Sequence, residues 1–281
     1  LHHNFYTLSR KPYTFYLTPL TVFFFLACSY NPYKETNKSH RNQLKQYTAL
    51  LRKEPIDSSI TDSLKKPPFF VGTTNFNMRK PSYVIIHHTA QHNTEETLKT
   101  FTLPRTQVSA HYVIGKDGVV YQMLSDYLRA WHAGNSRWGN QLDMNSASIG
   151  IELDNDGYHY FDSLQINSLL VVLEKLKRTY NIPTANFIGH GDIAPTRKND
   201  PNWRFPWKLL ADKGFGLWYD SIRVAVPETF NHIDGLRIVG FDVKDTSAAI
   251  VAFKRHFLQD TTKGMTPLGR EVLYNLHRKY Y

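Results

Sequence analysis

An α/β fold is predicted: a mixed central β-sheet flanked by helices over about residues 67–210, with a small C-terminal helical domain over 211–281. Three features carry this expectation. Continuous apolar runs of strand length occur at Tyr83-Val84-Ile85-Ile86 and at Ala147-Ser148-Ile149-Gly150-Ile151-Glu152-Leu153, the pattern of strands buried on both faces. Leu169, Val172, Leu173, Leu176 and Tyr180 recur at spacings of three and four, the period of a helix with one apolar face. The two kinds of pattern alternate up to Trp207, which is the order of an α/β sheet domain.

Taken in chain order, the first strand is followed by Thr94-Glu95-Glu96-Thr97-Leu98. Thr94 is placed to cap a helix there, and the two acids suit the positive end of its dipole. Tyr112-Val113-Ile114, Gly115-Lys116-Asp117-Gly118 and Val119-Val120-Tyr121 read as a hairpin closed by a glycine-containing loop. Asp162 opens the amphipathic helix, with Gln165 at the capping-box position. Asn186-Phe187-Ile188-Gly189 is a last short strand that ends at His190. Further on, Asp245-Thr246-Ser247 precedes one helical pattern and Thr266-Pro267 opens another, proline being favoured at the first helical position.

Composition narrows the class of protein. With 41% hydrophobic and 21% charged residues in 281, the chain can bury a real core, and wholesale disorder is excluded. Thirty-four Lys and Arg against 24 Asp and Glu give a net charge of +10. Without a zinc-finger, homeodomain or RNA-recognition signature, this basic balance predicts no nucleic-acid partner. A monomer is expected. The single cysteine, Cys28, excludes an internal disulfide and any multi-cysteine zinc module, so a metal would have to be held by His and carboxylates.

Residues 1–28 read as an export signal, with Arg10 and Lys11 ahead of an apolar, aromatic stretch. Leu26-Ala27-Cys28-Ser29 resembles the bacterial lipobox, in which the cysteine becomes the lipid-bearing first residue of the mature chain. That resemblance implies attachment to a membrane through Cys28 and a place in the cell envelope, at the outer membrane or in the periplasm. Residues 29–66, rich in Lys, Asn, Ser and Thr, read as a polar tether with a short helix near 43–53.

Three side chains stand where predicted strands end and loops begin: His87, His190 and, ten positions later, Asp200. Side chains at strand ends are rigidly held and can converge on one pocket. Two imidazoles and one carboxylate suit a tetrahedral zinc ion with its fourth position open, which is a hydrolase's arrangement. Glu152 is an acid in an otherwise apolar strand, an expensive placement that needs a partner or a purpose.

The stretches Val84-Ile85-Ile86-His87-His88-Thr89-Ala90, Ser109-Ala110-His111-Tyr112-Val113-Ile114, Trp131-His132-Ala133-Gly134 and Ser148-Ile149-Gly150-Ile151-Glu152-Leu153 resemble the amidase_2 family. The run from Gly189-His190-Gly191-Asp192 through Lys198-Asn199-Asp200-Pro201 is the longest match. This family of N-acetylmuramoyl-L-alanine amidases includes the peptidoglycan recognition proteins, and the likeness is strongest to its AmiD-like lipoprotein branch. The resemblance implies zinc as cofactor, with His87, His190 and Asp200 as ligands and His88 as a neighbour. It implies Glu152 as acid–base and Lys198 as oxyanion donor, with His111, Trp131 and His132 shaping the substrate cleft. Peptidoglycan or muropeptides are then the expected partners, and a non-catalytic peptidoglycan-recognition protein is the alternative. Asn202-Trp203-Arg204-Phe205 departs from the family's usual Gly-Pro at this point, so one loop should differ in shape. The stretch 240–257 resembles a peptidoglycan-binding domain, against which a purely structural helical extension is the other reading.

Overall fold

Five strands form one sheet in the order β3-β2-β4-β1-β5. They are β1 (Tyr83–His88), β2 (Tyr112–Ile114), β3 (Val120–Gln122), β4 (Ser148–Leu153) and β5 (Phe187–Gly189). Among the described residues the α-helices are α1 (Lys34–Leu51), α2 (Thr94–Thr102), α3 (Met144–Ala147), α4 (Ser163–Tyr180), α5 (His190–Ile193), α6 (Trp207–Asp212), α7 (His232–Val239), α8 (Thr246–Leu258) and α9 (Pro267–Tyr280). This computed structural model describes residues 31–52, 72–75, 77–220 and 225–281. The expected export signal, Cys28 and much of the expected tether lie outside the described residues.

The chain divides into two units, Leu1–Phe70 and Val71–Tyr281. The described part of the first is α1, which starts earlier than the helix expected near 43–53 and buries no residue. Good helix formers such as Lys38, Gln43, Leu44, Lys45 and Ala49 favour it, a signal that a search for an apolar stripe under-reads.

In the second unit, β2, β4, β1 and β5 run parallel, and only β3 is antiparallel, paired with β2. Val84, Ile85, Ile86, Ile149 and Ile151 are fully buried, as expected of strands covered on both faces. The predicted stripe of α4 packs on the sheet through Leu169, Val172, Leu173 and Leu176. Each such side chain contributes about 1.5–3 kcal/mol of burial.

Two caps differ from expectation. Helix α2 is capped by Asn93, whose side chain accepts from the N–H of Glu96, and Thr94 becomes its first residue. Gln165 does not close a capping box. Its amide donates instead to the carbonyls of Ile114 (2.9 Å) and Asp154 (3.1 Å), adding a side-chain tie where the Ile114 carbonyl already accepts the Asp154 N–H at 3.0 Å. The C-terminal caps lie where expected, with Asp245 accepting from Ala248 and Thr266 from Gly269. Helix α7, capped by Asn231, joins α8 and α9 around Leu236, Phe253, Leu273 and Leu276.

Candidate active site

A parallel sheet gathers functional side chains beyond the carboxyl ends of its strands. His87 and Glu152 are direct partners across β1 and β4, and β5 runs beside β1 with His190 immediately after its last residue. The register therefore delivers two histidines and a carboxylate to one edge of the sheet. The chain returns Asp200 to the same place, tied by a 2.6 Å hydrogen bond from the Gly191 N–H to its backbone carbonyl.

Three atoms form a nearly equilateral triangle. His87 Nδ1 stands 3.0 Å from His190 Nδ1 and 3.1 Å from Asp200 Oδ2, and His190 Nδ1 is 3.0 Å from the same oxygen. Ligand atoms about 2.0–2.1 Å from a tetrahedral zinc ion lie roughly 3.3 Å apart, so the triangle has about the size of one face of such a tetrahedron. All three residues are buried.

The surrounding hydrogen bonds fix the protons. The Ser148 hydroxyl lies so close to the carbonyl of Met144 that its hydrogen must point there, since a carbonyl has none to offer. Ser148 Oγ must then accept from His132 Nε2, 3.2 Å away, leaving His132 Nδ1 as an acceptor. His87 Nε2–H donates to that nitrogen at 3.0 Å, and His87 Nδ1 becomes a lone pair aimed into the triangle. On the other side His190 Nε2–H donates to the carbonyl of Ala133 at 3.2 Å, so in the neutral ring Nδ1 is the lone pair, also aimed into the triangle. Two lone pairs and a carboxylate oxygen pressed together repel one another unless a cation lies between them. The donor set fits a divalent cation. Burial, reinforced by His190, lowers the pKa of His87 to about 4, which keeps its ring neutral at physiological pH.

The cleft around this cluster measures about 340 Å³ and is walled by Phe101, Val108, Trp131, Glu152 and Lys198 among others. Glu152 Oε1 is 3.9 Å from His87 Nδ1, and Glu152 Oε2 is buried with no hydrogen-bond partner. Burial first, and the nearby Asp200 carboxylate second, raise the Glu152 pKa to about 8 against the opposing charge of Lys198.

Of the residues expected to shape the cleft, Trp131 lines it and is 53% exposed. His132 reaches its wall, but both ring nitrogens are engaged with His87 and Ser148, so it backs a cluster residue. Its ring lies over Gly150, where a Cβ would collide with it. The structure does not bring His111 to the cleft. That side chain is fully buried, accepting from the Gly150 N–H (3.1 Å) and meeting the Leu128 carbonyl (3.0 Å). Its work is to join β4 to the loop after β3, which a motif alone does not distinguish from ligand contact. His88 also lines the cleft but is not part of the triangle, and its Nδ1 accepts the Asn202 N–H at 3.0 Å. The Asn202 side chain also binds Asn155 Oδ1 and the carbonyl of His159. Asn202 thus shapes the divergent loop. Ser148, Met144 and Ala133, which set the tautomers, gave no chemical signal in the sequence, because two of them act through backbone carbonyls.

A His–His–Asp cluster with a buried carboxylate beside it, at the open end of an α/β sheet, is the equipment of metal-assisted hydrolysis as a class. Residues 77–203 match the family described as N-acetylmuramoyl-L-alanine amidase. The chain is 33% identical over 207 residues to the N-acetylmuramoyl-L-alanine amidase AmiD of Escherichia coli, covering 62% of this chain and 74% of that relative. It is 40% identical over 101 residues to the 1,6-anhydro-N-acetylmuramyl-L-alanine amidase AmpD of the same species, covering 36% of this chain and 55% of AmpD. The crystal structure of E. coli AmiD with anhydro-N-acetylmuramic acid-L-Ala-D-gamma-Glu-L-Lys superposes with a TM-score of 0.65 at 29% identity, covering 74% of this chain and 93% of that one. AmpDh3 of Pseudomonas aeruginosa gives 0.67 at 26% identity, covering 77% of this chain and 99% of that one. The chain belongs to the N-acetylmuramoyl-L-alanine amidase family, and its activity is that of an N-acetylmuramoyl-L-alanine amidase.

Proposed function

We propose that the protein is a zinc-dependent enzyme that hydrolyses the amide joining N-acetylmuramic acid to L-alanine in peptidoglycan or muropeptides, serving cell-wall turnover or recycling. The observation that carries the metal reading is the triangle of His87, His190 and Asp200, whose lone pairs point at one another. Zinc held there lowers the pKa of a water from about 15.7 to about 7 and polarises a carbonyl. Glu152 is the base that removes the proton of the attacking water. The same carboxyl then returns that proton to the departing alanine nitrogen, for an amide nitrogen leaves poorly as an anion. Lys198, on the cleft wall, donates to the oxyanion that develops on the scissile carbonyl. His132 holds the His87 ring, and Ala133 holds the His190 ring.

Mass spectrometry of digested muropeptide tests the reading. The expected products are free stem peptide beginning with L-alanine and a sugar that keeps its lactyl group, with cleavage lost to a chelator and restored by zinc. Cleavage inside the peptide, or activity indifferent to the chelator, overturns it. Intact muropeptide with measurable binding supports the recognition-protein alternative.

The proposal extends to location: a lipid on Cys28 holds the enzyme to a membrane of the cell envelope, facing its substrate. Acyl chains bind by about 0.8 kcal/mol per buried methylene, so losing them should be decisive. Cys28→Ser is expected to move the protein from the membrane to the soluble fraction with activity in detergent unchanged. Continued membrane partition of that variant counts against the anchor.

A further inference from the structure

His190 faces the cleft, whereas Asp192, two residues on, faces the C-terminal helices. Asp192 Oδ2 accepts two hydrogen bonds, from the Gly189 N–H at 2.8 Å and from His256 Nδ1–H of α8 at 2.7 Å. Both partners of this pair are buried. The His256 ring lies flat on Trp207, with centroids 3.9 Å apart and planes 11° apart. Trp207 in turn reaches Gly189, the residue before His190.

Arg255 is the second point of grip. Its guanidinium passes so close to Gly191 that a Cβ there would collide with it. Gly191 is also the residue whose N–H binds the Asp200 carbonyl. One turn of α8 therefore backs the peptide groups on both sides of His190 and the link between the two segments that carry His190 and Asp200. An appended module meets its neighbour through a wet, polar interface that tolerates relative motion. Here the contact is an ionisable pair and a guanidinium withdrawn from water, a costly way to gain stability alone.

We propose that Arg255 and His256 are positioning residues of the metal centre. The C-terminal helix that bears them holds the backbone from which His190 and Asp200 project, so these helices complete the catalytic site. The proposal rests on reading His87, His190 and Asp200 as a cation site, and its test separates the two.

The full chain and two variants, His256→Phe and Arg255→Met, are compared for zinc affinity by competition with a chromogenic chelator. The visible spectrum of the cobalt(II)-loaded proteins is recorded alongside. His256→Phe keeps a ring on Trp207 and removes the donor to Asp192. Loss of groups that orient metal ligands costs about 10–100-fold in affinity. Each folded variant is expected to bind zinc at least about tenfold more weakly and to show an altered cobalt band, signs that a merely supportive packing role would not give. Unchanged affinity and spectrum in a cooperatively melting variant overturn the proposal. Should His256→Phe not fold, Arg255→Met decides on the same two readouts. A wild-type chain that binds no zinc overturns the cation reading itself, and this proposal with it.

Discussion

Glu152→Gln is expected to lower kcat by about 10²–10⁴-fold while the protein keeps one zinc per chain. Glutamine preserves the volume and the hydrogen-bonding reach of the side chain but cannot take a proton. Glu152 is placed for that exchange by register, since its Cα pairs with that of His87, and by its buried oxygen that no protein group satisfies. The pKa raised to about 8 gives the prediction a second readout. A general base works deprotonated, so kcat/KM should fall as pH drops through its pKa. A cation in the neighbouring triangle adds to the downward pull of Lys198. The acid limb therefore belongs between the ordinary 4.5 and about 8, and it should vanish in Glu152→Gln.

Stability of the metal-free protein should follow the same group with the opposite benefit. The unfolded chain releases the Glu152 proton near 4.5, whereas the folded chain retains it to about 8. Between those values the unfolded state binds fewer protons, so wild-type stability falls as pH rises. Metal-free Glu152→Gln should lack that fall, as melting temperatures across the window would show. Full activity in Glu152→Gln, or an acid limb that survives the substitution, removes Glu152 from the acid–base role.

What the sequence made legible follows the range of each physical signal. Strands β1 and β4 announced themselves because burial on both faces writes an uninterrupted apolar run, and α4 because one-sided burial writes a stripe. Helix α1 wrote neither, having no buried face. The triangle's members could be named, since His87 and His190 follow apolar strand runs, Asp200 stands ten positions further on, and the family motifs carry all three. Their tautomers could not, because they depend on Ser148 and on the carbonyls of Met144 and Ala133, placed by the fold and silent in residue identity. His132 and His111 show the limit sharply. Each lies in a family motif, yet one backs a cluster histidine and the other stitches the sheet. The grip of α8 on Gly189 and Gly191 was beyond reach for a related reason. It joins distant segments through the Asp192–His256 pair, 64 positions apart, and the Arg255 guanidinium, and nothing local in 254–257 distinguishes these from a basic helix surface.

Asp200→Ala should abolish amide cleavage by a different route, leaving the chain unable to hold zinc through gel filtration against a chelator. Asp200 is the carboxylate of the proposed ligand set, and its Oδ2 lies within 3.1 Å of Nδ1 of both His87 and His190. Two neutral imidazoles alone neither complete the face of the tetrahedron nor offset a divalent charge in a buried place. The nearby Arg255, whose charge acts on both Asp192 and Asp200, would then face the cation with less negative charge between them. The affinity loss should thus exceed the roughly 10–100-fold that follows when a group merely orienting a ligand is removed. Asp200→Asn separates shape from charge, since it keeps an oxygen at the same reach. If charge governs, Asn and Ala lose zinc alike; if geometry governs, Asn retains most of it. Stoichiometric zinc in Asp200→Ala would exclude this residue as a ligand, and with it the triangle as the centre of the chemistry. Glu152→Gln, measured beside it, is expected to keep its metal and still fail to turn over. That contrast assigns the anion of the triangle to holding the ion and the anion of β4 to moving the proton.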